Sequence, residues 1–465
     1  MGKNNKTMLV LIGVLVAILV VLVVVVLVMS GKNADTKPTT PTSAPTQAPT
    51  QLPTQPPTLP PTEPPTEPPI VKQSTATIGV TGDVLYHDNV IASGYNSATG
   101  TFNYDMMHEF WKSYVEGVDY AVANLEGTLI QKNTGSGLLG YHGYPLFNAP
   151  DAVAEALKNA GFDMMLTANN HAYDSFHDGL IRTQEAVRDM GLVWIGTRLN
   201  PEDKAYTVKD INGIKIGMVN YTYNTAQNAD GSIGLNGIGV TVADSALINT
   251  FNYWQLDSFY AKLGEQMEAM RAEGAEAIVL YIHWGDEYQI QENSHQRKMA
   301  QALCDMGIDV IVGNHAHVPQ PMELLTNSQD ESKKTLCIYS TGNAISNIYQ
   351  TTKFPKNTED GMFFTFTFAK YSDGTVVLES TDVLPTWLDR IDEATWTYHY
   401  HVLPLDRTVE DWQAAMGLSN QTLTECKNSY DRTMSIVGAG LEEANAYYAQ
   451  HQQEVEAALG VKNDG

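Results

Sequence analysis

Five short strings, far apart in the chain, put oxygen and imidazole donors where apolar runs stop. They are Gly82-Asp83, Asn124-Leu125-Glu126, Asn169-Asn170-His171, His283-Trp284-Gly285 and Gly313-Asn314-His315-Ala316-His317. Hard divalent cations are held by donors of this kind converging from several strands, so the set reads as a two-metal hydrolytic site. Taken singly the strings say little: an isolated Asp83 is most simply a cap or turn residue, and a lone His283 a satisfied core histidine. Their common position at strand ends carries the argument.

Within the set, Asp83 is read as a metal ligand and Glu126 as a carboxylate bridging two cations, which lowers the repulsion of a pair about 3.5–4 Å apart. The Asn170 carbonyl is a neutral ligand, and His171 beside it contacts the reacting group, with Asp174 three residues on to fix its tautomer. His283 closes the apolar run Ile278–Ile282, and the loop Trp284-Gly285-Asp286-Glu287-Tyr288 after it is suited to lining a pocket. His315 and His317 occupy alternate positions, which in an extended segment places both imidazoles on one side, facing one metal pair. Asn124, Trp284, Glu287, Tyr288 and Asn343 are read as substrate-facing, with Ser340 beside Asn343 at the rim.

Strands and helices must alternate to bring these strings together. Runs at 76–81, 119–123, 162–168, 214–221, 277–282 and 310–312 are rich in Val, Ile and aromatic residues and predict strands. Helical spacing marks 150–160, 178–190, 254–272 and 294–306, with Gly161, Gly191, Gly274 and Gly307 just past their ends. Such alternation predicts a mainly parallel, two-sided α/β architecture whose ligands bind at the carboxyl ends of the strands. After Met322 the pattern turns to strands at 335–340, 362–369 and 375–384, the last two joined by Ser372-Asp373-Gly374, and a second sheet packed on the first is expected. From Arg407 the chain reads as polar helix without an assigned role.

Ahead of this domain lies an unbroken apolar or glycine run from Met8 to Met29. At about 1.5 Å per residue it spans a hydrocarbon core of about 30 Å, and Val28-Met29-Ser30-Gly31 makes a poor signal-cleavage site. The expectation is an uncleaved anchor with a short tail inside and the large domain exported. Residues 38–69 are nearly all Pro, Thr, Gln and Glu, a composition that buries no core and, in polyproline II geometry, extends roughly 100 Å. The expected divisions are a cytoplasmic tail at 1–7, the anchor at 8–29, a linker at 30–74, the main domain at 75–404 and a helical region at 405–465. A net charge of −25, from 53 acidic against 28 basic residues, excludes nucleic acid as a natural partner. Cys304, Cys337 and Cys426 have no paired spacing and read as packing residues.

These strings, together with Asp174, Glu287-Tyr288, the segment from His317 to Pro321, Tyr339-Ser340 and Gly342-Asn343, resemble the CapA family of bacterial poly-γ-glutamate capsule proteins. That family looks like a branch of the calcineurin-like metallophosphoesterases. The resemblance covers about 76–345 and implies a metallophosphoesterase-like α/β sandwich of two packed sheets flanked by helices, behind an N-terminal transmembrane helix. It implies Asp83, Glu126 and His317 around one metal, and Glu126, Asn170, His283 and His315 around the other. His171 would then stabilise the transition state or protonate the leaving group. The superfamily usually opens with Asp-x-His, whereas Asp83-Val84-Leu85 lacks that imidazole. Either His87 or water fills the gap, or that metal position is weak or empty.

Two functions follow as expectations. One is a surface hydrolase or transferase of capsule synthesis, using two divalent ions among Mn²⁺, Fe or Zn²⁺ on a phosphoester or amide bond. The other is a non-catalytic anchored component that binds or guides an anionic polymer such as poly-γ-glutamate during export, alongside other capsule-synthesis membrane proteins.

Overall fold

Val, Ile and Thr alternate along Lys72–Val84, and this stretch is the central strand of the molecule, β1. The computed structural model describes residues 70–130, 137–392 and 397–460. The expected tail, anchor and nearly all of the linker lie outside the described residues. Among the described residues no helix is long and apolar enough to cross a membrane.

From β1 the chain runs through β2 (Tyr120–Leu125), helix α1 (Ala152–Asn159), β3 (Met164–Leu166), helix α2 (Phe176–Asp189) and β4 (Val193–Ile195). These four strands lie parallel in that order. The chain then builds a second sheet from β5 (Tyr206–Ile211), β6 (Ile214–Tyr223), β7 (Thr250–Phe251), α3 (Leu256–Ala272), β8 (Ala277–His283), α4 (Ser294–Met306), β9 (Val310–Asn314), β10 (Met322–Thr326) and β11 (Lys334–Ile338). Its order is β7-β6-β8-β9-β11-β10, parallel except for β10, with β5 antiparallel to β6. Finally β12 (Asn343–Ile345), β13 (Asp360–Tyr371), β14 (Val376–Asp392) and β15 (Thr397–Pro404) return to the first sheet. There β13 pairs antiparallel along nearly all of β1, and β12 runs parallel against its carboxyl end.

This corrects one expectation: the strand-rich portion after Met322 does not make a sheet of its own. Its first two strands complete the second sheet, and residues 360–404 extend the first, because β1 has β2 on one side only and its other edge is open to β13.

Strand β8 explains the layering. All seven of its residues are buried, as expected for a parallel strand covered on both faces. Val279 and Tyr281 point to the first sheet and share a cluster with Ile78, Val80, Val122, Met218, Val312 and Phe364. Ile278, Leu280 and Ile282 point the other way, against Leu263 and Met267 of α3 and Met299 and Leu303 of α4. On the outside of the first sheet, Ala121 and Ala123 meet Val153 and Leu157 of α1 and Val187 of α2. The architecture is thus mixed α/β, with two sheets face to face and helices on both outer sides.

After α5 (Val409–Met416), the 40-residue helix α6 (Asn420–Leu459) closes the chain. It places Val437, Ala444 and Tyr448 in the cluster between the sheets. A Cβ on its Gly440 would lie 1.9 Å from the Met322 carbonyl oxygen, so only glycine lets the helix approach β10 this closely. Buried Asp360 on β13 accepts from Ser429 Oγ and Arg432 Nε, both at 2.7 Å.

Candidate metal centre

Every string singled out in the sequence falls at a strand's carboxyl end: β1 for Asp83, β2 for Asn124 and Glu126, β3 for 169–171, β8 for His283 and β9 for 313–317. Close backbone approach sets these ends. A Cβ on Gly82 would meet the Gly342 carbonyl oxygen at 1.9 Å, and that carbonyl accepts the Asp83 amide at 3.0 Å. Irregular register at Asp83 against both β2 and β12 then turns its carboxylate out of the ladder.

The donors form two groups sharing one residue. Ligand atoms of Glu126, His283 and His315 all lie within 4.8 Å of one another, as do those of Asp83, Glu126 and His317. All five residues are buried. His283 Nε2 is 3.1 Å from His315 Nδ1, 3.4 Å from Glu126 Oε1 and 2.7 Å from the Asn170 side-chain oxygen. On the other side, His317 Nδ1 is 3.1 Å from Asp83 Oδ2 and its Nε2 is 4.0 Å from Glu126 Oε1. Glu126 is 1% exposed, yet neither carboxylate oxygen has a hydrogen-bond partner. Buried carboxylates are ordinarily satisfied by donors or cations, so this pair of orphaned oxygens, facing imidazole nitrogens that crowd one another, fits a divalent cation on each side.

The two histidines reach these positions by a route other than the alternation of an extended segment. Strand β9 ends at Asn314, and His315 and His317 have φ of 96° and 55°. Left-handed backbone at non-glycine residues costs on the order of 1–3 kcal/mol each and persists where the surroundings impose it. Here the surroundings are the Tyr288 amide bonded to the Ala316 carbonyl at 2.7 Å and the Asn343 amide group donating to the His317 carbonyl at 3.1 Å.

Around the donors is a shell that orients them. Asn124 donates to Asp83 at 2.7 Å, and Asn343 Oδ1 stands 3.0 Å from His317 Nδ1. Both are buried and hold ligands rather than face a substrate space. His171 Nδ1 is 2.6 Å from Asp174 Oδ2, which also accepts the Phe147 amide at 2.6 Å. Glu287 is exposed, and half-buried Tyr288 stacks over His317 with ring centroids 6.0 Å apart, so these two stand at the mouth. Trp284 does not join them: fully buried, it donates to the Tyr339 carbonyl at 2.9 Å and packs in the outer core of the second sheet. Nor is His87 in either donor group. Its Nδ1 accepts the Asn347 amide at 3.2 Å and its ring lies edge-on to Phe147.

Charge within the centre is strongly redistributed. Burial alone would raise the Glu126 carboxyl, but His317, His283 and His171 outweigh it and hold it well below the ordinary value. His317, which burial would depress, is pushed up to about 10 by Glu126 and Asp83. Burial, with His283 and His317 as neighbours, drives His315 well below the usual imidazole value, leaving a neutral ring suited to ligation. For His171 burial opposes the charge, yet the Asp174 hydrogen bond and carboxylate raise it. Asp174 itself is raised by burial. His87 is lowered to about 4 by burial and by His317.

Four further residues shape the centre beside those given a role from the sequence. Asn169 donates to the Leu125 carbonyl at 2.8 Å and accepts the His171 amide, locking the Asn-Asn-His turn. Phe147 and Tyr223 set their rings 4.7 Å from His171 and 4.9 Å from His315. Asn236 brings its amide 3.3 Å from His171 Nδ1. The Asn236-Gly237 pair between Ile233–Leu235 and Ile238–Val240 is a two-residue hairpin turn that was readable in the sequence, although its approach to His171 was not.

A profile of the family described as "Bacterial capsule synthesis protein PGA_cap" matches residues 77–348, more than half of the chain and the whole span carrying these donors. Among curated relatives, "Capsule biosynthesis protein CapA" of Bacillus anthracis is 25% identical over 281 residues, 58% of this chain and 59% of the relative. "PGA biosynthesis protein CapA" of Bacillus subtilis (strain 168) is 27% identical over 244 residues, 52% of this chain and 57% of the relative. The chain therefore spans less than two thirds of the length of these relatives. Among solved structures, the NAD nucleotidase (NadN) of Haemophilus influenzae aligns over 83% of this chain and 68% of its own, with a TM-score of 0.40 and 10% identity. On the profile match, the chain belongs to the family of bacterial capsule synthesis proteins PGA_cap.

Proposed function

We propose that this protein is a cell-surface, CapA-like component of capsule synthesis whose buried centre holds two divalent cations and carries out hydrolase- or transferase-type chemistry on an anionic polymer such as poly-γ-glutamate. One observation carries the reading: two donor groups meet at Glu126, a buried carboxylate whose oxygens have no hydrogen-bond partner. Asp83, Glu126 and His317 would hold one cation, and Glu126, Asn170, His283 and His315 the other. When bound, such a pair lowers the pKa of water towards neutrality and neutralises charge built up in the transition state. The chain's own part is then proton handling. With Nδ1 committed to Asp174, His171 keeps Nε2 as the ring atom available to give a proton to a leaving group. The exposed carboxylate of Glu287 and the Tyr288 ring guard the entrance.

In this reading residues 8–29 anchor the chain, 30–74 space the domain from the bilayer, and the domain works outside. The relatives' printed names, with capsule and PGA biosynthesis in them, support an envelope role. Measurement of bound metal, followed by assays on γ-linked polyglutamate and on phosphodiesters, tests it. Turnover should fall at least 100-fold in Glu126→Gln, and equal turnover would overturn the proposal. Asp174→Asn should retain metal and lose about 10–100-fold in turnover, the usual effect of removing an orienting partner.

The absence of an imidazole two residues after Asp83, with His87 turned to the Asn347 amide, favours a second reading, in which the protein binds or guides polymer without turning it over. Polymer binding that persists without metal, and with no turnover, would select it.

A further inference from the structure

His171 follows β3 of the first sheet, yet one of its neighbours arrives from the second. Between β6 and β7 the chain makes a hairpin of Ile233–Leu235 and Ile238–Val240, and the exposed Asn236 at its tip sets its side-chain amide 3.3 Å from His171 Nδ1. The hairpin is held in place. Ile233, Leu235 and Val240 share a buried cluster with Ala172, Tyr173 and Leu180, which follow His171 in the chain. Just past the hairpin, Asp244 accepts the Tyr173 hydroxyl at 2.5 Å and lies 2.7 Å from His177 Nδ1. Asn236 has φ of 48° and Gly237 of 78°, the left-handed pair of a two-residue turn, and Asn is one of the few side chains that visit this region readily.

Donor and acceptor roles at Nδ1 decide which end of the amide faces the ring. Asp174 Oδ2 accepts the Phe147 amide at 2.6 Å and lies 2.6 Å from Nδ1, so it is an acceptor on both sides and the hydrogen between it and the ring sits on Nδ1. A protonated Nδ1 has no lone pair to offer. An NH2 group facing it would set N–H against N–H, whereas the amide oxygen, brought round by a half-turn of the side chain, accepts the same hydrogen as the weaker arm of a three-centre bond.

We infer that Asn236 is a positioning residue for His171: its amide oxygen, carried in from the second sheet, shares the Nδ1 hydrogen with Asp174 and fixes the ring so that Nε2 is the atom presented to the leaving group. The effect on turnover rests on the proton-donor role proposed for His171; the hydrogen bond itself does not.

Two substitutions compatible with the left-handed backbone test this without straining the turn, and both should bind zinc as the native chain does. Asn236→Gly removes the acceptor, and Asn236→Asp keeps an oxygen in its place. In nitrogen-15 spectra of the zinc-loaded full chain, with the ring assigned by its loss in His171→Gln, Nδ1 should be protonated. A bare Nδ1, to which the amide nitrogen would donate, overturns the inference. The Nδ1 proton should exchange with solvent about fivefold faster in Asn236→Gly than in the native protein, and at close to the native rate in Asn236→Asp. Turnover should fall about fivefold in Asn236→Gly with KM unchanged, and recover in Asn236→Asp. Native behaviour of Asn236→Gly, failure of Asn236→Asp to recover, or a change confined to KM overturns the inference. Should the native protein show no turnover, the catalytic reading of the metal centre fails, and the proton position and exchange rates alone decide the role of Asn236.

Discussion

Glu126 belongs to both donor groups, whereas Asp83 and His317 belong to one and His283 and His315 to the other. Metal-dependent stability should therefore divide in a way that counts the ions. A ligand at one hundred times its dissociation constant stabilises the folded state by about 2.7 kcal/mol. Unfolding entropy of about 2.1 cal/mol/K per residue over roughly 380 residues is about 0.8 kcal/mol/K. One cation then raises the melting temperature by about 3 °C, and two by about 7 °C. The assay is thermal unfolding of each protein after exhaustive chelation and again after addition of Mn²⁺ or Zn²⁺, so that each variant provides its own baseline. The native chain should gain about 7 °C, Asp83→Asn and His283→Gln about 3 °C each, and Glu126→Gln close to none. The reasoning fails if Glu126→Gln keeps the full shift. A single shared ion would show instead as Asp83→Asn and His283→Gln each abolishing it.

Other outcomes follow from packing and charge. In Gly313→Ala the new Cβ would sit 2.0 Å from the Tyr339 carbonyl, so a loss of about 3 kcal/mol or more is expected in the urea midpoint. Asp360→Ala leaves Arg432 and Ser429 of α6 without their carboxylate partner and should cost about 2 kcal/mol by the same measurement. Deletion of 420–459 should abolish cooperative unfolding, because Val437, Ala444 and Tyr448 leave the space between the sheets; circular dichroism during heating reads this. Burial raises the Asp309 carboxyl to about 6 from an ordinary value near 3.8, so the fold disfavours its charged form. The native state then binds the extra proton, and this residue's contribution to stability is full below about 3.8 and lost as the pH climbs to about 6. Asp309→Asn should remove that component, seen as a shallower decline of stability between pH 4 and 6 than in the parent.

The donors were legible because each ends an apolar run of β-forming residues, and parallel strands buried on both faces advertise their carboxyl ends in this way. Which sheet a strand joins was less so. Phe364, Phe366 and Phe368 alternate equally well for either sheet, and only their pairing with Val80, Ile78 and Ala76 assigns them to the first. Strand β4 escaped notice because Val193-Trp194-Ile195 is too short to show a period. Positive φ at His315 and His317 has no signature in side chains of that type, and so the extended geometry assumed for them was mistaken although their donors converge. Trp284 read as a pocket residue because it follows His283, but strand alternation sends it outward into the core against α3 and α4. The role of α6 was hidden by its largely polar surface, since three of its residues reaching the core are as modest as Val437, Ala444 and Tyr448.

Strand β1 is enclosed by neighbours that come from opposite ends of the domain, β2 at 120–125 and β13 at 360–371. During synthesis or export, then, the first sheet stays open along one side until some 290 further residues have emerged after residue 81. Because β12 and β13 fix the backbone around Asp83, the donor group of Asp83, Glu126 and His317 is complete only in the finished domain, and any cation held there would be drawn from the compartment in which the last strands arrive.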